Sequence, residues 1–379
     1  MSAFDNILRV LAELSASGLS YLVPKKKGLI VFLPCHDPDK FNGNLRALFL
    51  YLASEFPSQQ TRWVANNRAT FLDLKDGGHG VSYAKQFPWP ILRAEQVIVD
   101  AVRPALGIGR FRFVQLWHGA GFKNIGLLNP NKKYGLYAFL YRAFSSRCVF
   151  IIAGSNEDRT RISAAFGTER VVITGLPRND VLFNPAFGLG RGQQRFGWSG
   201  QSRIVVYAPT FRETGGANPF SQGFWERLED FLTLTDSVFL VKKHPLDCDL
   251  EVPSGYSRIL DVTGLVSEVQ DLLGRTDILI SDYSAIVTDF VVTGKPILFY
   301  TYDWDRYLAN CRSSYYDLKT VLPGPFVATE EELLVRLGDL SWFFESDYRI
   351  LYQRFVERFH FHRDGFASQR VAKILMSKK

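Results

Sequence analysis

The sequence predicts an α/β protein of two lobes, each built on a mainly parallel sheet. At 379 residues the chain exceeds one ordinary core and fits two domains. Short apolar runs alternate with segments of helical spacing along most of its length, the pattern of repeated βαβ units. Two of the runs end in a histidine, in Leu116-Trp117-His118-Gly119 and Lys242-Lys243-His244-Pro245. The C-terminal end of a parallel strand is where open α/β sheets bind ligands. The expectation is a cleft with one histidine on each wall.

In the first lobe, GLIVFLP (28–34) is continuously apolar, as a strand buried on both faces must be. LRALFLYLASEF (45–56) has helical spacing. TRWVAN (61–66), HGVSYA (79–84) and QVIVDA (96–101) read as short strands, and FRFVQLW (111–117) leads into His118. YGLYAFLYRAFSSR (134–147) reads as a helix, and CVFIIAG (148–154) and RVVITG (170–175) as strands around a helix near 156–166. Residues 184–202 are rich in Gly, Gln and Ser and read as a linker, so the first lobe is expected over 1–183.

The second lobe, expected over 203–355, repeats the pattern. RIVVYAPT (203–210), SVFLVKKHP (237–245), DILISD (277–282) and KPILFY (295–300) read as strands. Helices are expected at 224–232, 265–275 and 284–292, and again from about 330. DGGHG (76–80) reads as a turn.

With 46% hydrophobic and 22% charged residues the composition is that of a soluble globular protein. No stretch reaches the ~20 apolar residues of a membrane span. The N-terminal segment carries its lysines after its apolar residues, the reverse of a signal peptide, so a cytoplasmic location is expected. Cys35, Cys148, Cys248 and Cys311 are scattered without a CxxC pair, which argues against a metal site or disulfide framework.

The net charge of +7 is unevenly spread. Residues 1–180 hold 23 Lys/Arg against 13 Asp/Glu, a balance of +10, and the rest is −3. No acidic residue lies between Asp100 and Glu157, an interval with eight bases and His118. Such a field attracts polyanions or anionic lipid, unless it is simply a solvated face. The 134–147 segment mixes Tyr134, Tyr137, Tyr141 and Phe144 with Arg142 and Arg147, which suits either a membrane interface or a core helix with snorkelling arginines.

Several short motifs carry candidate chemistry. Ser281-Asp282-Tyr283-Ser284, with Asp289 beyond it, joins a strand to a helix start, where hydroxyls cap free N–H groups and the same groups can hold phosphate. Thr210 and Arg212 in YAPTFR could hold phosphate, or Arg212 could pair with Glu213. Gly175-Leu176-Pro177-Arg178-Asn179-Asp180 is a turn after a strand, equally readable as a structural loop. Gly119 and Gly121 beside His118 permit close backbone approach to a ligand. Lys242 and Lys243 add positive charge beside His244. A neutral imidazole can accept a hydroxyl proton and an imidazolium can stabilise a phosphate oxygen.

Taken in order, WHG with Lys123, GLPRND, YAPTFR, KKHP, SDYSAIVTDF, GKPILFYTYD (294–303) and PGP (323–325) resemble the CDP-glycerol glycerophosphotransferase family of teichoic acid primases and polymerases. FNGNLRALFLYL (41–52) resembles its N-terminal segment. The resemblance implies a GT-B architecture, two Rossmann-like lobes facing a cleft, with a C-terminal helix (356–379) returning to the first lobe. It implies transfer of a polyol phosphate, glycerol phosphate foremost, from a CDP-polyol to a hydroxyl of a lipid-linked or polymeric anionic acceptor. CMP leaves, and the work is done on the inner membrane surface in teichoic acid or capsule polymer synthesis. His118 would be the base. His244 and Arg212, with Thr210, Lys243 and Asp282 around them, would hold the donor pyrophosphate. Ser281 and Ser284 would bind phosphate and Asp289 a donor hydroxyl. Gly119, Lys123, Arg178 and Asn179 would line the acceptor side of the cleft.

The sequence departs from the family pattern in AGFK after WHG and in Arg312-Ser313-Ser314-Tyr315-Tyr316-Asp317, which leaves the polyol open. The length is nearer to the primases than to the long polymerases. No metal cage is recognisable, so no tightly bound cofactor is expected and Mg2+ only loosely. The competing readings are a GT-B glycosyltransferase using a nucleotide-sugar and a catalytically silent binder of anionic glycan. Nothing resembles a nucleic-acid-binding module.

Overall fold

The computed structural model describes residues 3–84, 89–119, 121–129, 135–183, 202–212, 218–244, 250–310 and 314–377, apart from the side chains of residues 3–7, 308 and 310. The chain divides into two compact units. One comprises Met1–Gly119, Asn124–Asp180 and Asp364–Lys379; the other comprises Ala120–Lys123 and Val181–Arg363.

The first unit is built on seven parallel strands: β1 (Ile30–Leu33), β2 (Thr61–Ala65), β3 (Val81–Tyr83), β4 (Gln96–Val99), β5 (Phe113–Gln115), β6 (Cys148–Ala153) and β7 (Val171–Ile173). Their order is β3-β2-β1-β4-β5-β6-β7. Side chains alternate between faces, and both faces are covered. Val31, Val97, Val99 and Ile151 enter one core, while Ile30, Phe32, Ile98 and Ile152 enter the other. The second core is rich in rings. Trp63 is fully buried and meets Phe41 edge-on at 4.7 Å. Val371, Ala372 and Leu375 of the helix Ala367–Ser377 pack into this core, so the end of the chain belongs to the first sheet.

The second unit is built on β8 (Arg203–Tyr207), β9 (Ser237–Val241), β10 (Ile259–Asp261), β11 (Ile278–Ser281), β12 (Ile297–Tyr300) and β13 (Phe326–Val327), parallel throughout, in the order β10-β9-β8-β11-β12-β13. Val206, Leu240 and Leu279 face one core, and Val205, Phe239, Val241 and Ile280 the other. Both sheets reverse their winding once, between β1 and β4 and between β8 and β11. These are the topological switch points at which doubly wound sheets bind ligands.

Some boundaries differ from expectation. The division falls after Asp180 rather than 183, and Ala120–Lys123 groups with the second unit. The returning segment begins at Asp364, not 356. Phe355, Val356 and Phe359 of the helix Ser346–Phe359 pack with Phe290, Trp342 and Phe343 in the core of the second unit. Of the expected linker, 184–201 lies outside the described residues. The helix expected at 265–275 is a single turn, Val269–Leu273. In the helix Gly135–Arg147, Tyr141 and Phe144 point into the core, while Leu136 and Phe139 are exposed; Tyr134 lies outside the described residues.

Candidate active site

In the first unit three strand ends converge. Asp100 follows β4 beside the switch point. Its Oδ1 accepts the backbone N–H groups of Cys35 (2.7 Å) and His36 (3.0 Å), which follow β1. Its backbone carbonyl lies 3.0 Å from Nδ1 of His118, beyond β5. A carbonyl can only accept, so the contact assigns the proton to Nδ1 and leaves Nε2 as the acceptor nitrogen of a neutral ring. Burial, then His36 and Arg178, push the His118 pKa down to about 3, against the Asp100 carbonyl and Asp37, which raise it. The anchored Nδ1–H and these shifts both favour the neutral ring.

The two imidazoles of His36 and His118 are stacked, with centroids 3.9 Å apart and planes 4° from parallel. Trp117 also meets the His118 ring, at 4.0 Å and 34°. Its backbone is left-handed, φ 51°. Its N–H donates to Gln115 Oε1 at 3.0 Å and its carbonyl accepts from Asn44 Nδ2 at 3.0 Å.

The GLPRND turn joins this cluster. The Arg178 N–H donates to Asn44 Oδ1 at 3.0 Å, and its Nη1 donates to the His118 carbonyl at 2.6 Å. Gly119 has φ 130°, and a Cβ there would strike the Arg178 guanidinium. Asn179 is buried, and neither atom of its amide has a hydrogen-bond partner among the described residues. Gly119, Arg178 and Asn179 thus share one unit with His118. Lys123 does not: it groups with the second unit, where it bridges to Ser314.

In the second unit the residues after β8 and β11 form a knot. Asp282 is fully buried and accepts from the Thr210 N–H (2.9 Å), Thr210 Oγ1 (2.7 Å), the Tyr283 N–H (2.6 Å) and Arg212 Nη2 (2.8 Å). Arg212 also forks onto Asp303, through Nε at 2.8 Å and Nη2 at 3.0 Å. Burial opposes its charge, but the two carboxylates outweigh it and hold the guanidinium protonated. Phe211, between Thr210 and Arg212, stacks on the exposed His244 at 5.0 Å and 30°.

The other donor-side candidates have partners within the second unit. The Arg212 fork is taken up by Asp303 and Asp282, and Glu213 lies outside the described residues. Ser281 is buried and donates to the Ala208 carbonyl at 2.7 Å. Asp289 is buried and accepts from Gln270 Nε2 at 3.1 Å. Lys243 Nζ meets the Leu250 carbonyl at 2.8 Å and Asp261 at 3.3 Å. Ser284 accepts the Ile286 N–H at 3.3 Å. Among the described residues no three His, Cys, Asp or Glu side chains are grouped to hold a metal ion.

A sequence profile of the CDP-glycerol:poly(glycerophosphate) glycerophosphotransferases matches residues 15–377. The chain belongs to this family. The resemblance read from its motifs is therefore borne out. The teichoic acid glycerol-phosphate transferase of Staphylococcus aureus is 28% identical over 98% of this chain and 99% of its own. The ribitol-phosphate polymerase TarK of the same species is 29% identical over 88% of this chain and 66% of its own. The chain spans less than two thirds of the related polymerase TarL, at 63%. The structure of the wall teichoic acid polymerase TagF superposes with a TM-score of 0.80 at 22% identity, over 99% of this chain and 97% of that one. That match carries the fold, and the expected α/β class holds.

Within this family member, sequence reading found His118 and Arg212 but missed two partners of the first, His36 and Asp100, and one of the second, Asp303. His36 carries the same signal as the two chosen histidines, an imidazole just after an apolar strand run. Asp100 is the last acid before the acid-free interval. Asp303 closes GKPILFYTYD, which was read for resemblance alone. Each gains its meaning from pairing across the sheet.

Proposed function

We propose that this chain transfers a polyol phosphate from a CDP-polyol to a hydroxyl of a teichoic-acid-type acceptor. The acceptor oxygen attacks the phosphorus that bears the polyol. The bond from that phosphorus to the CMP oxygen breaks, and CMP leaves with the bonding pair. His118 Nε2 takes the hydroxyl proton. The observation that carries this reading is the neutral His118, with Nδ1 anchored on a carbonyl and Nε2 able to accept, in a chain of this family. General-base work needs an acceptor nitrogen held in a fixed direction, which the Nδ1 anchor supplies.

On the donor side His244 is the proposed ligand of the pyrophosphate. The Thr210–Arg212–Asp282–Asp303 knot supports it indirectly, by fixing Phe211 against its ring. The orphaned amide of Asn179 supports a polar ligand beside Arg178, since an unpaired buried amide atom costs about 1–3 kcal/mol.

The proposal includes peripheral attachment to a membrane surface. No helix among the described residues is long and apolar enough to cross a membrane. Leu8, Leu11 and Leu14 of the helix Ala3–Leu19, Ile108 of the turn Pro104–Ile108, and Leu136 and Phe139 are exposed in the first unit. Both helices pack on that turn. Exposed apolar residues among basic ones suit the headgroup region. Phe139→Glu is expected to weaken sedimentation with phosphatidylglycerol vesicles; binding indifferent to this change and to anionic lipid counts against it.

The deciding experiment incubates the protein with CDP-glycerol, CDP-ribitol and a lipid-linked acceptor, following CMP release and product mass. His118→Ala is expected to lower kcat by about 10²–10⁴-fold. Near-normal turnover in that variant would remove His118 as the base.

A further inference from the structure

We propose that His36 is a positioning residue for His118: laid face to face with it by their common partner Asp100, it fixes the orientation and tautomer of the base. The inference rests on the transferase reading for its consequence, but not for its geometry.

Asp100 uses separate oxygens for the two histidines. Its carboxylate draws in the backbone of Cys35 and His36, and its main-chain carbonyl takes the Nδ1–H of His118. The rings then meet at 3.9 Å and 4°. Face-to-face rings present no N–H to each other's lone pairs, so the pair is no proton relay. What His36 supplies is a wall. Rotation of His118 about its Cβ–Cγ bond would drive the ring edge into the His36 face, and the Nδ1–H contact would be lost with it. Trp117 meets the same imidazole at 4.0 Å. An acceptor nitrogen bracketed in this way keeps one direction, and misplacement by ~1 Å can cost about 10²-fold in rate.

The charges acting on the His118 ring agree with this role. They are His36 and Asp37 from the segment after β1 and Arg178 from the GLPRND turn, with the Asp100 carbonyl from the β4 end. His36 and Arg178 both disfavour a positive charge on the His118 ring, in keeping with a resting neutral imidazole.

The test uses the full chain with His36→Ala and His36→Phe, the latter keeping a flat ring without titratable nitrogens. Imidazole 15N shifts report the His118 tautomer with no substrate present, and thermal melts report folding. In the unsubstituted protein one tautomer, protonated on Nδ1, is expected. In His36→Ala a mixture is expected, with kcat lowered ~10-fold or more and KM for the CDP-polyol changed less than about threefold. His36→Phe is expected to restore the single tautomer and most of kcat. A single unaltered tautomer in His36→Ala overturns the proposal, and so does a His36→Phe variant as mixed as His36→Ala. If no CDP-polyol is turned over by the unsubstituted protein, the transferase reading falls, while the 15N shifts still decide the role of His36.

Discussion

Asp100 holds its neighbours through two chemically different groups, and substitution separates them. Asp100→Asn keeps an oxygen for the Cys35 and His36 N–H groups, whereas Asp100→Ala leaves both donors unpaired in a half-buried loop. The Ala variant is expected to lose about 2 kcal/mol or more in urea denaturation, and the Asn variant about 1 kcal/mol or less. His118 sets a pH effect. Its folded pKa of about 3 lies below the ordinary 6.5. Between those values the unfolded chain binds the extra proton, so stability falls as pH drops through that window. His118→Asn removes the effect, and its melting temperature is expected to fall less than that of the unsubstituted protein between pH 7 and 4.5. His118 was legible because tryptophan, histidine and glycine follow a strand run. His36 was not singled out, because its ring gains a role only through Asp100, 64 residues away.

At the scale of elements, the turn GLPRND serves two neighbours within the first unit. Arg178 joins the His118 cluster through the His118 carbonyl. Asp180 accepts the N–H groups of Ala367 (2.9 Å) and Ser368 (2.8 Å) at the start of the helix Ala367–Ser377. Burial pushes its carboxyl pKa up to about 6. Asp180→Ala is expected to weaken this helix start by about 1 kcal/mol, read as faster amide exchange over 367–377 while β4 and β5 keep their protection. Most strands were readable because runs such as Ile30-Val31-Phe32 are apolar on both faces. β13, of two residues, is too short to show a period. The helix tail resolved into Glu330–Gly338, Ser346–Phe359 and Ala367–Ser377, and sequence periodicity alone does not say which sheet each one covers.

At the scale of the molecule, the two sheets repeat one plan. Each carries its candidate chemistry at the strands flanking its switch point, or on the strand beside them. Motif order revealed the family, but the pairing of β1 with β4 and of β8 with β11 is long-range and unreadable from local pattern. The proposed donor role of His244 and base role of His118 predict a thermodynamic difference. A ligand at ~100 times its Kd stabilises the form it binds by about 2.7 kcal/mol. A CDP-polyol is therefore expected to raise the melting temperature of the unsubstituted protein and of His118→Ala alike, but not that of His244→Ala. Loss of the shift in His118→Ala instead would reverse the two histidines' roles.

Trp117 holds a left-handed backbone that its own side chain disfavours, with its indole against His118. A side chain other than glycine in the left-handed region costs about 1 kcal/mol. Asn or Gly at this position relieves that cost and removes the indole beside His118. A library of position-117 variants sorted for heat resistance should accumulate Gly and Asn, while the same library sorted for CMP release should return to Trp. Gly or Asn enriched under both pressures would mean that the indole is dispensable for turnover.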